Sequence, residues 1–111
     1  MSEIANVALT SAFRIERTYD SSGDFMDKVG QYVERRGTFL PMRKELEKGT
    51  MLELGLTLPS GRDIIRGKAR VIKFQEATGT KPTGVWIKWE KLSPRSQENI
   101  RLVETWRTEN T

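Results

Sequence analysis

Residues 51–74 read MLELGLTLPSGRDIIRGKARVIKF, and their reading decides the fold. In the first half, Leu52, Leu54, Leu56 and Leu58 point one way while Glu53, Gly55 and Thr57 point the other. Period-two alternation marks a strand with one buried face, so 51–59 is expected to be a strand. PSGRD carries turn chemistry, which returns the chain antiparallel into a second strand over 63–74. There Ile65, Ala69 and Val71 share a face with Gly67, and Arg66, Lys68 and Arg70 share the other.

Outward from this hairpin the pattern continues. Downstream, GVWIKWEKL (84–92) alternates Val85, Ile87 and Trp89 against Trp86, Lys88 and Glu90. Upstream, GTFLPM (37–42) is a short strand that Pro41 confines to an edge or an exit. Before it, Phe25, Val29, Tyr32 and Val33 fall at helical offsets, so 24–34 is read as a helix behind the turn and cap residues DSSG. AFRIERTY (12–19) is a further short strand, and residues 1–11 read as a flexible N-terminus. SPRSQENIRLVETWR places Ser93 as N-cap and Pro94 at the first helical position of a helix over 94–107. Its stripe is Ile100, Val103 and Arg107, with Leu102 and Trp106 widening it. Such an order implies a mainly β domain over 12–111, an antiparallel sheet closing into a small barrel with a terminal helix against it.

The chain has 111 residues, 36% hydrophobic and 31% charged, a net charge of +4 and a pI near 9.6. One domain with one modest core fits this length. The positive balance permits an anionic partner without establishing one. Cysteine and histidine are both absent, which removes thiol nucleophiles, imidazole bases and the usual zinc ligands. No phosphate-binding glycine loop, nucleophile elbow or metal spacing occurs, so the expectation is a protein that is not an enzyme and carries no cofactor or metal. No apolar run approaches the ~18 residues of a membrane span, and Glu3 stands where a signal peptide needs positive charge. A cytoplasmic protein without membrane insertion is expected.

Four constellations compete as sites. Arg66, Lys68 and Arg70 form a row of cations on one strand face, suited to phosphates, to an acidic protein patch, or simply to water. Trp86 looks outward, as a partner surface or as a residue covered by the terminal helix, while Trp89 is expected in the core. Acidic pairs such as Glu45 with Glu47, or Asp24 with Asp27, sit among cations and read as solvated charge. Basic residues beside aromatics could serve nucleic acid, but few aromatics are left over from the apolar faces, and no nucleic acid is expected.

The segment from Phe25 to Leu92 resembles a PilZ domain, nearest the divergent type of type IV pilus and gliding-motility systems, with similarity reaching from about residue 13 to 107. Phe25, Val29, Tyr32, Gly37 and Phe39 fall on that group's spacing. GTMLELGLTLPSG (49–61) resembles its G-t-x-l-x-L-x-L-P-x-G block, and TGVWIKWEKLS (83–93) its closing strand. The resemblance implies a six-stranded antiparallel β-barrel with a C-terminal helix. Many PilZ domains bind cyclic di-GMP through R-x-x-x-R and D/N-x-S-x-x-G. The second motif maps onto Tyr32-Val33-Glu34-Arg35-Arg36-Gly37, where only Gly37 agrees. Tyr32 replaces the Asp/Asn, and Glu34 sets a carboxylate where a dianionic ligand needs a hydroxyl. The first motif has no match, since Arg14 and Arg17 are three apart. The resemblance therefore implies an adaptor that meets a protein partner in bacterial motility or type IV pilus function without cyclic di-GMP. Its surface would comprise Arg35, Arg36, Arg66, Lys68, Arg70 and Trp86. The alternatives are a cyclic di-GMP receptor using Arg14, Arg17, Arg35 and Arg36 as phosphate ligands, or a basic small-barrel nucleic-acid binder.

Overall fold

Leu52, Leu54 and Leu56 lie opposite Ala69, Gly67 and Ile65 across an antiparallel pair, so the alternation read in 51–74 becomes two neighbouring strands with one apolar face. In a computed structural model describing residues 13–109, β1 (Phe13–Thr18) leads into α1 (Ser22–Lys28) and a 3-10 turn (Gly30–Tyr32). β2 (Gly37–Pro41), β3 (Met51–Thr57), β4 (Asp63–Gln75), β5 (Gly84–Leu92) and α2 (Pro94–Glu109) follow. The flexible terminus expected over 1–11 lies outside the described residues.

The strands form one curled sheet, a half-barrel of order β1-β3-β4-β5-β2. Five strands are described where the resemblance implied six, and the sheet is mixed. β1 runs parallel to β3, pairing Phe13 with Leu52 through Thr18 with Thr57. Alternation in β1 specifies which face is buried but not direction; the connection through α1 and β2 returns the chain to β1's side in the same sense.

The concave face holds one core. Ile15 and Tyr19 arrive from β1, Phe25, Val29 and Val33 from the α1 region, Leu52, Leu54, Leu56, Ile65, Val71, Val85 and Ile87 from the sheet, and Ile100 from α2. Burying each aliphatic side chain is worth about 1.5–3 kcal/mol.

The helix expected over 24–34 starts earlier and stops sooner. Ser21 caps it, its Oγ accepting the Asp24 N–H at 3.1 Å, while Asp24 Oδ2 accepts the Asp20 N–H at 2.9 Å. The helix ends at Lys28, because Val29 leaves helical geometry and the next turn tightens, which sinks both Val29 and Val33 into the core. The C-terminal helix runs from Pro94, as expected, two residues past the expected end. Its buried stripe is narrower than the sequence implied: Ile100 is buried, but Leu102 and Trp106 are 50% and 52% exposed.

The open edge at β2 is blunted. Met42 N–H donates to Thr83 and the Arg36 carbonyl accepts from Trp89, so even-numbered residues face β5 and odd-numbered ones face away. The outward carbonyls are all taken within the chain: Gly37's by Glu34 N–H, Phe39's by the Thr38 hydroxyl, and Pro41's by the Arg17 guanidinium at 2.8 Å. Proline has no N–H to offer there, so strand addition at this edge is disfavoured. No helix of the described residues is long and apolar enough to cross a membrane.

Candidate functional site: the 34–37 loop and the outer sheet face

Gly37 ends the loop whose sequence aligned with the cyclic di-GMP motif, and its requirement differs from a turn's. Its φ is not positive. A Cβ here would run into the Ile87 carbonyl of β5, so glycine serves the close approach of β2 to β5. The loop in front of it is pinned from three sides. Glu34 N–H donates to the Gly37 carbonyl at 2.8 Å. Trp89 gives its indole N–H to the Glu34 carbonyl at 2.9 Å and its backbone N–H to the Arg36 carbonyl at 2.8 Å. Glu104 of α2 accepts the Arg35 N–H at 2.9 Å. Trp89, expected in the core, packs against it half-buried and also clamps the loop.

Tyr32, Phe39 and Trp86 form an aromatic row on the far side of the sheet from the core, with Phe39 5.1 Å by ring centroid from each neighbour. Trp86 is outward, as its alternation implied. Its cover is Phe39 and a hydrogen bond from its indole N–H to Gln75 Oε1 at 3.1 Å, in place of the terminal helix. Beside this row a cleft of about 320 Å³ gathers Tyr32, Glu34, Arg36, Gly37 and Trp86 with Ile72 and Lys88.

The four arginines of the receptor alternative do not come together. Arg14 pairs with Glu53 at 2.9 Å on β1's outer side. Arg17 is committed to Pro41 and lines a cleft against α1. Arg35 lines a different cleft with Glu104, and Arg36 the aromatic one.

The Arg66, Lys68 and Arg70 row is real but only partly free. Arg66 reaches Asp63 at 2.9 Å and Glu16 at 3.2 Å, which hold its guanidinium still more firmly protonated. Arg70 reaches Glu90 at 3.3 Å and the Gly49 carbonyl. Lys68 makes no ion pair among the described residues. Two β-bulges alter the rest of this face. Glu90 is an extra residue between the Lys68–Lys91 and Ala69–Trp89 pairs, and Ile72 is an extra residue between Val71–Ile87 and Lys73–Trp86. Strict alternation assigns Lys73 and Lys91 to the core side; each bulge turns one of them out. These two lysines escape sequence reasoning because a bulge has no residue signature here, while Ile72 stands on the outer face that alternation from Arg66, Lys68 and Arg70 already gives it.

Among the described residues no cluster of histidine, cysteine or carboxylate side chains could hold a metal ion. No protein-family model matches the sequence, and no curated protein matches it.

Proposed function

We propose that the chain is a non-enzymatic, PilZ-like adaptor that acts in the cytoplasm by protein–protein contact, in bacterial motility or type IV pilus function, without cyclic di-GMP. The family part rests on the resemblance of 25–92. The ligand-independent part rests on one observation: the loop at the motif position is filled by its own chain. Gly37, Trp89 and Glu104 engage the Glu34 N–H, the Glu34 and Arg36 carbonyls and the Arg35 N–H, and Glu34 adds a carboxylate beside them. A dinucleotide needs several converging donors around its phosphates, and micromolar affinity requires about 8 kcal/mol in total. With Arg14, Arg17, Arg35 and Arg36 in separate places, little of that is available. Calorimetric titration with cyclic di-GMP is expected to show no saturable heat at micromolar concentrations. Stoichiometric micromolar binding overturns the reading, and its loss in Arg35→Ala and Arg36→Ala would favour the receptor alternative.

A further inference from the structure

The two halves of the outer sheet face treat charge in opposite ways. Toward β1 and β3, Arg14 meets Glu53, and Glu16 reaches across to Arg66 at the start of β4. On the β4–β5 side, cations stand opposite cations: Lys68 pairs in register with Lys91, and Arg70 with Lys88. Like charges directly opposite each other destabilise a sheet. Lys73 adds a fifth cation beside Trp86, and all five are exposed. Glu90, paired to Arg70, is the carboxylate that reaches this row; Glu53, next to Lys68 in register, is held by Arg14. Both bulges of β4 and β5 act in the same direction, each delivering a lysine to this face, and Ile72, at one of them, is 45% exposed beside Trp86 and Lys88.

We propose that the outer face of β4 and β5 is a docking surface for an acidic protein segment carrying an aliphatic side chain. Its carboxylates would neutralise Lys68, Lys73, Lys88 and Lys91, and its aliphatic group would cover Ile72 and the rim of Trp86. The proposal rests on the adaptor reading and names the chemistry of its partner. A solvated face accounts for exposed lysines but not for stacking them opposite one another when the other half of the same face alternates sign. Carboxylates are favoured over nucleic-acid phosphates for two reasons. The arginines of this face are committed to Asp63, Glu16 and Glu90, so the planar forks that grip phosphates are spent. The Trp86 ring is packed on Phe39 and its N–H is bonded to Gln75, which leaves no row of open rings for stacking bases.

The test is fluorescence anisotropy with a short labelled glutamate peptide bearing one central leucine, on the full chain and on Lys68→Glu/Lys88→Glu. The parent is expected to bind with an affinity that falls as salt rises, and the double variant to bind at least tenfold more weakly, as should a peptide with serine in place of leucine by several-fold. The same double variant removes both like-charge pairs but sets a carboxylate opposite Glu53, so its thermal midpoint should stay close to the parent's, which separates lost binding from lost folding. Equal affinity of parent and variant, no binding by the parent, or tighter binding to an oligothymidylate or to anionic phospholipid vesicles than to the peptide overturns the proposal. Cyclic di-GMP added to the same titration distinguishes the two readings. Micromolar nucleotide binding with peptide affinity unchanged overturns the ligand-independent reading alone. No peptide binding and no nucleotide binding overturns the docking face alone.

Discussion

Two glycines and a tyrosine show what single side chains decide. Gly55 lies between Glu16 on β1 and Arg66 on β4, and its missing Cβ leaves the space through which that ion pair reaches across β3; a Cβ there would collide with the Glu16 carboxylate. Gly37→Ala is the more severe change, since the obstacle is backbone that cannot rotate away. We expect it to cost about 1–3 kcal/mol or more, as overpacking does, read as a lower midpoint in urea unfolding. Tyr19 makes the opposite case. It is 4% exposed, packs edge-on against Phe25, and its hydroxyl finds no hydrogen-bond partner among the described residues. Removing an unpartnered buried hydroxyl relieves a desolvation cost of about 1–3 kcal/mol, so Tyr19→Phe should be neutral to stabilising. Burial raises the Tyr19 pKa, with the neighbouring Arg17 opposing. The folded state therefore keeps this proton after the unfolded chain begins to lose it near pH 10, and the contribution, full below that pH, disappears as pH climbs through the folded value. Alkaline unfolding above about pH 10 should accordingly be steeper for the parent than for Tyr19→Phe; identical slopes would show that Tyr19 ionises alike in both states.

Helix starts were legible and helix anchors were not. Ser21 and Ser93 announce themselves by residue type and position, and both accept the N–H three residues on. Ser96 carries no such signal, because its partner is thirty residues away in β4. Its Oγ accepts the Arg66 N–H at 2.7 Å and donates back to the Arg66 carbonyl, in full burial. Asn99 repeats the device one turn later, donating to the Ile64 carbonyl at 2.8 Å. α2 is thus seated on the start of β4 by two polar side chains as well as by Ile100. Ser96→Ala leaves the Arg66 N–H without its partner and should cost about 1–3 kcal/mol, seen as a fall in thermal midpoint and faster amide exchange at Arg66. The same division explains the rest of the reading. β3, β4 and β5 were placed nearly to the residue, because alternation is local. The parallel pairing of β1, the early end of α1 and the two bulges depend on distant packing, and they decided which of the candidate residues share a face. Tyr32, Gly37 and Trp86 were brought together; Arg14, Arg17 and Arg35 were dispersed.

At the scale of the molecule, the half-barrel is held by side chains where strands do not meet. Arg17 joins the β1 edge to β2 through the Pro41 carbonyl. At the end of α2, the half-buried Arg107 donates to the carbonyls of Gly30, at 3.0 Å, and Val33, so the last helix closes onto the 3-10 turn that leads into the 34–37 loop. Glu104, one turn earlier, holds the Arg35 N–H from the same helix. The C-terminal helix therefore does two things at once: Ser96, Asn99 and Ile100 dock it on the sheet, and Glu104 and Arg107 fix the 34–37 loop and the turn before it. Separating these roles is a direct test of that arrangement. Arg107→Met keeps an apolar stem and loses charged hydrogen bonds worth about 1.5–3 kcal/mol, which for a domain of this size corresponds to a midpoint lower by several degrees. Because Ser96 and Ile100 still anchor the helix start, the loss should be local. Amide exchange is expected to accelerate at residues 30–36 and 104–109 and to remain slow in β3 and β4. Uniform acceleration across the sheet would instead mean that the helix end supports the whole core and that the loop has no independent stability.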